Sequence, residues 1–251
     1  MNRNIKLLIA YDGTGFCGWQ RQDTGRSVQG EIEKALEKIH GHPVNLTGCG
    51  RTDAGVHAAG QTANFYTDID SIGEDRFVYA LNSLLPHDVR IIKSGEAPQD
   101  FHARFCACKR TYRYNFICRR PALPHESRYS LQLWRTPQLE TLNAYGRLLL
   151  GETDCSIFAG AGDSSLTEGK STNRYIYSAY FYAEKDSLVF EISANAFMRK
   201  MVRSIAGTFL HYEEKETPPE KLREIIASKN RSLAGPTLPP QGLFLWHVSY
   251  I

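Results

Sequence analysis

Long apolar runs are the first thing this sequence lacks. Nowhere in its 251 residues do about 18 consecutive apolar side chains occur, so no membrane-spanning helix is expected. The apolar stretch from Leu7 to Ala10 is too short for a secretory signal, and Asp12 closes it. Paired cysteines are missing too. Cys17, Cys49, Cys106, Cys108, Cys118 and Cys155 form no C-x-x-C pair and no compact disulfide framework, which points to a reducing compartment and predicts a cytoplasmic protein. Cys106, Cys108 and His102 fall short of four ligands at a metal-binding spacing, so no metal is expected. No P-loop, H-E-x-x-H, EF-hand loop or G-x-S-x-G is present. Gly13-Thr14-Gly15-Phe16-Cys17-Gly18 does fit G-x-G-x-x-G. A dinucleotide site, however, needs a helix opening inside the glycine run, and here Asp23-Thr24-Gly25 breaks the chain before any helix starts.

Acids are absent from residues 102–120, although the whole chain carries a net charge of only +3. Arg104, Lys109, Arg110, Arg113, Arg119 and Arg120 are interleaved there with Phe105, Tyr112, Tyr114 and Phe116. Cations alternating with aromatics suit phosphate contact and base stacking, and would equally suit a strand with a solvated basic face.

The length allows one large domain or two small ones. Apolar spacing predicts helices at 27–39, 75–85, 138–150, 197–211 and 219–228. The first has Ser27 as N-cap and Gly41 as its stop. Strands are expected at 5–11, 44–48, 61–66, 88–96, 108–118, 130–134 and 244–250, with a hairpin of 175–183 and 188–193 turning at Glu184-Lys185-Asp186. Residues 159–170, rich in Gly, Ser and Asp, read as a flexible loop. Hairpins interleaved with helices indicate an α+β fold with a mostly antiparallel sheet, and the element order runs similarly in two halves.

The most informative stretch is Gly50-Arg51-Thr52-Asp53-Ala54-Gly55-Val56-His57-Ala58. An acid bracketed by glycines sits on a tight turn that another molecule's backbone can approach. Arg51 is close enough to reach back to the carboxylate or to grip a phosphate. A charged carboxylate in such a turn suits nucleophilic or electrostatic work, although an Asx turn would use the same residues. A relay through Asp53 and His57 fits the spacing, but no serine has an identifying context. By themselves, Tyr112 reads as a sheet tyrosine. Arg203, sharing a helical arc with Arg199 and Lys200, reads as part of a solvated basic face.

Residues 50–61, GRTDAGVHAAGQ, resemble the catalytic loop of the TruA family of tRNA pseudouridine synthases. Tyr11-Asp12-Gly13 with Gly18-Trp19-Gln20, residues 80–86, Phe101-His102-Ala103-Arg104, residues 110–114, Asn195-Ala196-Phe197 with Met201-Val202-Arg203, and Gly235-Pro236-Thr237 match in order. Cys155 to Gly160 and Pro240 depart from the family pattern, outside the Asp53 loop. The resemblance implies two related, ferredoxin-like α/β halves, 1–104 and 105–251, whose sheets join and leave an active cleft between them. It implies isomerisation of uridine to pseudouridine in the anticodon stem-loop of tRNA, at positions 38, 39 and 40, by a homodimer using neither cofactor nor metal. Asp53 would be the catalytic carboxylate, with Arg51 and Arg203 as catalytic partners. Tyr112 would contact the target base, and Arg104, Arg110 and Arg113 would bind substrate. The alternatives are a non-catalytic tRNA-binding protein and a glycoside-type hydrolase; the latter would want a second carboxylate in a comparable setting.

Overall fold

The structure is a computed structural model describing residues 2–118, 120–184 and 186–251. Arg119 of the basic stretch and Lys185 of the expected hairpin turn lie outside the described residues. In chain order the strands are β1 (Arg3–Tyr11), β2 (Thr47–Gly48), β3 (His57–Thr67), β4 (Val89–Ala97), β5 (Ala107–Cys118), β6 (Leu131–Leu133), β7 (Gly151–Asp154), β8 (Asn173–Glu184), β9 (Ser187–Ala194) and β10 (Leu243–Tyr250). The helices are α1 (Val28–His40), α2 (Phe77–Asn82), α3 (Pro124–Ser127), α4 (Leu139–Arg147), α5 (Ser164–Thr167), α6 (Met201–Glu214) and α7 (Pro219–Ala227). The fold is α+β with mostly antiparallel pairing. Two units divide the chain: one runs up to Cys108 and includes Phe244–Ile251, the other is Lys109–Leu243.

In the first unit the strand order is β4-β1-β3-β10. β1 runs antiparallel to both β3 and β4. The far edge of β3 is shared: Phe244 and Leu245 of β10 pair in parallel with His57 and Ala58, and β2 pairs with Ala63 and Asn64. Alternation along β1 buries Ile5, Leu7 and Ile9 on one face, where Val28, Ile32, Ala35 and Leu36 of α1 and Phe77 and Leu81 of α2 are also buried. Helix α1 ends as its sequence predicts. Ser27 accepts from the Gly30 N–H, and Gly41 adopts φ 74° at the C-terminus. On the opposite face, Asn64 Nδ2 donates to Asn4 Oδ1 (2.9 Å), and Asn4 Nδ2 donates to the carbonyls of Pro98 and Phe101. Asn64 Oδ1 accepts the Ala103 N–H. Two buried amides thus tie residues 98–103 across β1 and β3, and every bond replaces one lost to water.

In the second unit the order is β5-β9-β8-β7, with β6 parallel to β5. The expected hairpin is β8 with β9. Phe181 and Phe190 stack at 4.5 Å, and Phe209 of α6 lies 6.1 Å from Phe190. Tyr145 of α4 is 5.7 Å from Phe209. Asn143 of α4 bonds Phe181 both ways, through its N–H (2.7 Å) and its carbonyl (3.0 Å), so the helix is fixed in register on β8.

Two expectations need correction here. Helix α6 begins at Met201, not 197, because Lys200 takes a left-handed φ of 61° and Arg199 is held outside the helix. What holds it is Asp163, in the segment expected to be a flexible loop. That buried carboxylate accepts the N–H of Arg199 (2.6 Å) and of Ser165 (2.8 Å) and starts the short α5. Burial works against the charge of Asp163, but these backbone donors and the nearby Arg174 hold its carboxyl below the usual range.

A carboxyl depressed in the fold stabilises it fully above the unfolded value, about 3.9, and loses that contribution as pH falls through the folded value. Asp163→Asn is therefore expected to cost about 2 kcal/mol at pH 7, with the gap from wild type closing below about pH 4. Urea denaturation at the two pH values reads both.

Candidate active site

Asp53 sits on a turn closed by the Val56 N–H donating to its carbonyl at 3.1 Å. Gly55 supplies φ 76° in that turn, as its place in the sequence demands. Gly50 does not adopt positive φ; a side chain there would meet nothing within 4 Å, so the glycine leaves open space beside the turn. Thr52 is buried, Asp53 half-buried, and Arg51 exposed.

The turn is braced from several sides by hydroxyl, amide and backbone groups, and by one imidazole. The Thr52 hydroxyl is hydrogen-bonded to that of Tyr11 at 2.8 Å, and burial pushes the Tyr11 phenol well above its ordinary range. The Thr52 carbonyl accepts the Trp19 N–H (3.2 Å), and Gly55 N–H donates to the Phe16 carbonyl (3.3 Å). Below the turn lies buried Gln61, whose Nε2 donates to the Gly50 carbonyl (3.0 Å) while its Oε1 accepts from Cys49 Sγ (2.8 Å). His57 is another brace. The Gly13 N–H donates to its Nδ1 at 3.0 Å, Asp12 Oδ1 lies 3.2 Å from the same nitrogen, and its ring stacks on Phe244 at 4.7 Å.

Arg51 does not turn back on Asp53. Its Nε donates to Gln20 Oε1 at 3.1 Å. Arg104, also in the first unit, is exposed; its guanidinium lies 5.8 Å from the ring of Phe105, which is 76% exposed. It precedes β5, so the three candidate substrate-binding arginines do not line one strand.

The second unit groups the other candidates. Strand alternation puts Arg110, Tyr112 and Tyr114 on one face of β5 and Arg113 on the other. Tyr112 meets the edge of Phe197, with ring centroids 5.0 Å apart. Arg110 donates to the Asn195 carbonyl at 2.6 Å. Asn195 in turn accepts the N–H groups of Tyr175 and Ala196, so the Asn195-Ala196-Phe197 turn is pinned where Tyr112 needs its neighbour. Arg203 is half-buried beside the 238 turn, not on a solvated face: its Nε donates to the Leu238 carbonyl at 2.6 Å. Its charge opposes the burial that raises the Tyr114 phenol, whose hydroxyl donates to Pro239. Arg113, on the far face, pairs with Glu191 at 2.7 Å. Glu191 also accepts the Tyr180 hydroxyl.

A family model described as tRNA pseudouridine synthase matches residues 7–106 and 146–251. The chain belongs to the tRNA pseudouridine synthase family. It is 50% identical over 253 residues to tRNA pseudouridine synthase A of Treponema denticola, covering 99% of this chain and 93% of that protein. To the protein of that name from Treponema pallidum it is 48% identical, over 93% of this chain and 84% of the relative. The corresponding figures for the Caldicellulosiruptor bescii protein are 43%, 99% and 100%.

The sequence motifs single out an acid and several cations as candidates and give no role to the groups that brace the turn. Tyr11, Gln20 and Gln61 stood inside the matching blocks without a role, because nothing local pairs them with partners 11 to 41 positions away. Gly18 is the sharpest of these long-range constraints. It adopts φ 108°, and a Cβ there would lie 2.7 Å from the Thr52 carbonyl oxygen. Gly18→Ala is expected to destabilise the protein by about 2–4 kcal/mol in urea titrations and to displace the Thr52–Asp53 backbone. An unchanged denaturation midpoint would rule out this brace.

Proposed function

We propose that this chain isomerises uridine to pseudouridine in the anticodon stem-loop of tRNA, at positions 38, 39 and 40, with Asp53 as the catalytic carboxylate. The observation that carries the reading is a half-buried acid on a turn braced by buried neutral groups, in a chain that belongs to this family. The reaction breaks the N1–C1′ bond, turns the uracil and joins it through C5. The C5 proton is lost and N1 gains one, so atoms balance without a co-substrate. The target base must leave its stack and water must be kept from the freed sugar.

Asp53 stabilises or attacks the electron-poor fragment left by bond cleavage. Arg51 fills the space of the displaced base or holds its phosphate, and Arg203 orients the acid. Tyr112, its ring fixed by Phe197, stacks on the uracil and accepts the C5 proton. Under this proposal the two ferredoxin-like halves act on one nucleotide, and the enzyme works in the cytoplasm as a homodimer. No helix is long and apolar enough to cross a membrane among the described residues.

Incubation with unmodified tRNA, followed by carbodiimide treatment and reverse transcription, maps the product uridines. Asp53→Ala is expected to lower the rate at least about 10³-fold while tRNA affinity changes little. Wild-type turnover in that variant sinks the assignment. Replacing Arg104 or Arg110 by Ala is expected to weaken tRNA binding and to reduce the log–log salt slope by about 1 each. Arg113→Ala changes that slope less, because Glu191 already balances its charge. Equal slopes for all four proteins count against Arg104 and Arg110 as phosphate contacts.

A further inference from the structure

The Arg51 side chain is exposed, yet it is not left to wander. Among the described residues its one hydrogen-bonding partner is Gln20, through Nε to Oε1 at 3.1 Å. Gln20 is held in turn on both sides of its own backbone by a single residue of α1. The Gln29 N–H donates to the Trp19 carbonyl (3.0 Å), and Gln29 Oε1 accepts the Arg21 N–H (3.0 Å). Gln29 cannot swing away, because its Nε2 donates to the Leu46 carbonyl (3.0 Å) and to Glu33 Oε1 (2.9 Å). Glu33 is buried and also takes the Leu46 N–H at 3.1 Å. The Trp19 N–H is bonded to the Thr52 carbonyl, next in sequence to Arg51. The two ends of the Gln20–Arg51 contact are thus fixed to one another through the backbone as well.

An arginine has many rotamers, and ordering one at the moment of binding costs entropy. A single bond at Nε fixes the guanidinium plane and leaves the terminal nitrogens to make bidentate contacts outward. We propose that Gln20 is a positioning residue that sets Arg51 toward the nucleotide, with Gln29 and Glu33 as its clamp. This rests on the reading of Arg51 as part of the uridine-isomerising site.

Single-turnover pseudouridine formation on an unmodified tRNA transcript tests it in five proteins: wild type, Arg51→Ala, Gln20→Leu, Gln20→Glu and the Arg51→Ala/Gln20→Leu double variant. Gln20→Leu keeps the size and removes the acceptor. It is expected to slow the step about 10-fold at saturating tRNA with the tRNA Kd within about twofold of wild type. Gln20→Glu, which keeps an oxygen for Nε, restores most of the rate. In the Arg51→Ala background the Gln20→Leu change has no further effect, because its influence passes through Arg51. A wild-type rate for Gln20→Leu beside an impaired Arg51→Ala overturns the positioning role alone. The same factor in both backgrounds also overturns it, by marking a general structural effect. A wild-type rate for Arg51→Ala overturns the role of Arg51 and this proposal with it.

Discussion

The Asp53 turn depends on buried hydrogen bonds between neutral groups. Gln61 spends both ends of its amide under the turn, Tyr11 and Thr52 share a hydroxyl contact beside it, and Trp19 reaches its carbonyl from the first turn of the chain. A buried amide or hydroxyl without a partner costs about 1–3 kcal/mol, so displacing any of these residues leaves a second group unsatisfied as well. The turn therefore moves as a unit or not at all. Such a framework avoids the desolvation cost of buried ions. Within it, burial drives the Tyr11 phenol further from ionisation.

Charge is handled differently elsewhere in the first unit. Arg51 and Arg104 lie at the surface, and Arg26, which stacks over Phe16, is bonded at both terminal nitrogens to Asp88. The second unit repeats the division of labour. Arg203 donates to one backbone carbonyl and Arg110 to another, and each bond fixes the direction of its guanidinium. Arg113, on the other face of β5, is paired with the Glu191 carboxylate.

Much of the fold was legible where the signal is local. Helix α1 shows its apolar stripe, its serine cap and its glycine stop, and all three are used. The long strands β1, β5, β8 and β10 fall close to their expected bounds. What failed was long-range. Strand β3 starts at His57, four residues before the expected position, because His57 and Ala58 pair with β10 and Ala58 with β1, beyond an irregularity at Ala59 and Gly60, and alanine and glycine have little strand preference alone. Strand β7 carries no alternation and exists through pairing with β8. Helix α6 loses its first turn to Asp163, a residue 38 positions before Met201 and invisible to any window on the helix itself.

Strand parity was similarly hidden. Tyr175 and Tyr177 are exposed at odd positions and Tyr180 at an even one, a pattern that no regular strand can give. The irregularity in pairing between Ile176 and Ser178 supplies the missing residue, so Phe181 still points at Phe190 and α6. The same reasoning sorts the family-like words. Ala103 and Asn195 sit in matching blocks but bond inward, to Asn64 and to the backbone of Tyr175. Arg104 and Phe105, one and two residues beyond Ala103, point to solvent. A single word thus holds both the fastening and what it presents. Sequence alone names the word, while the hydrogen-bond partners decide which residue in it does which.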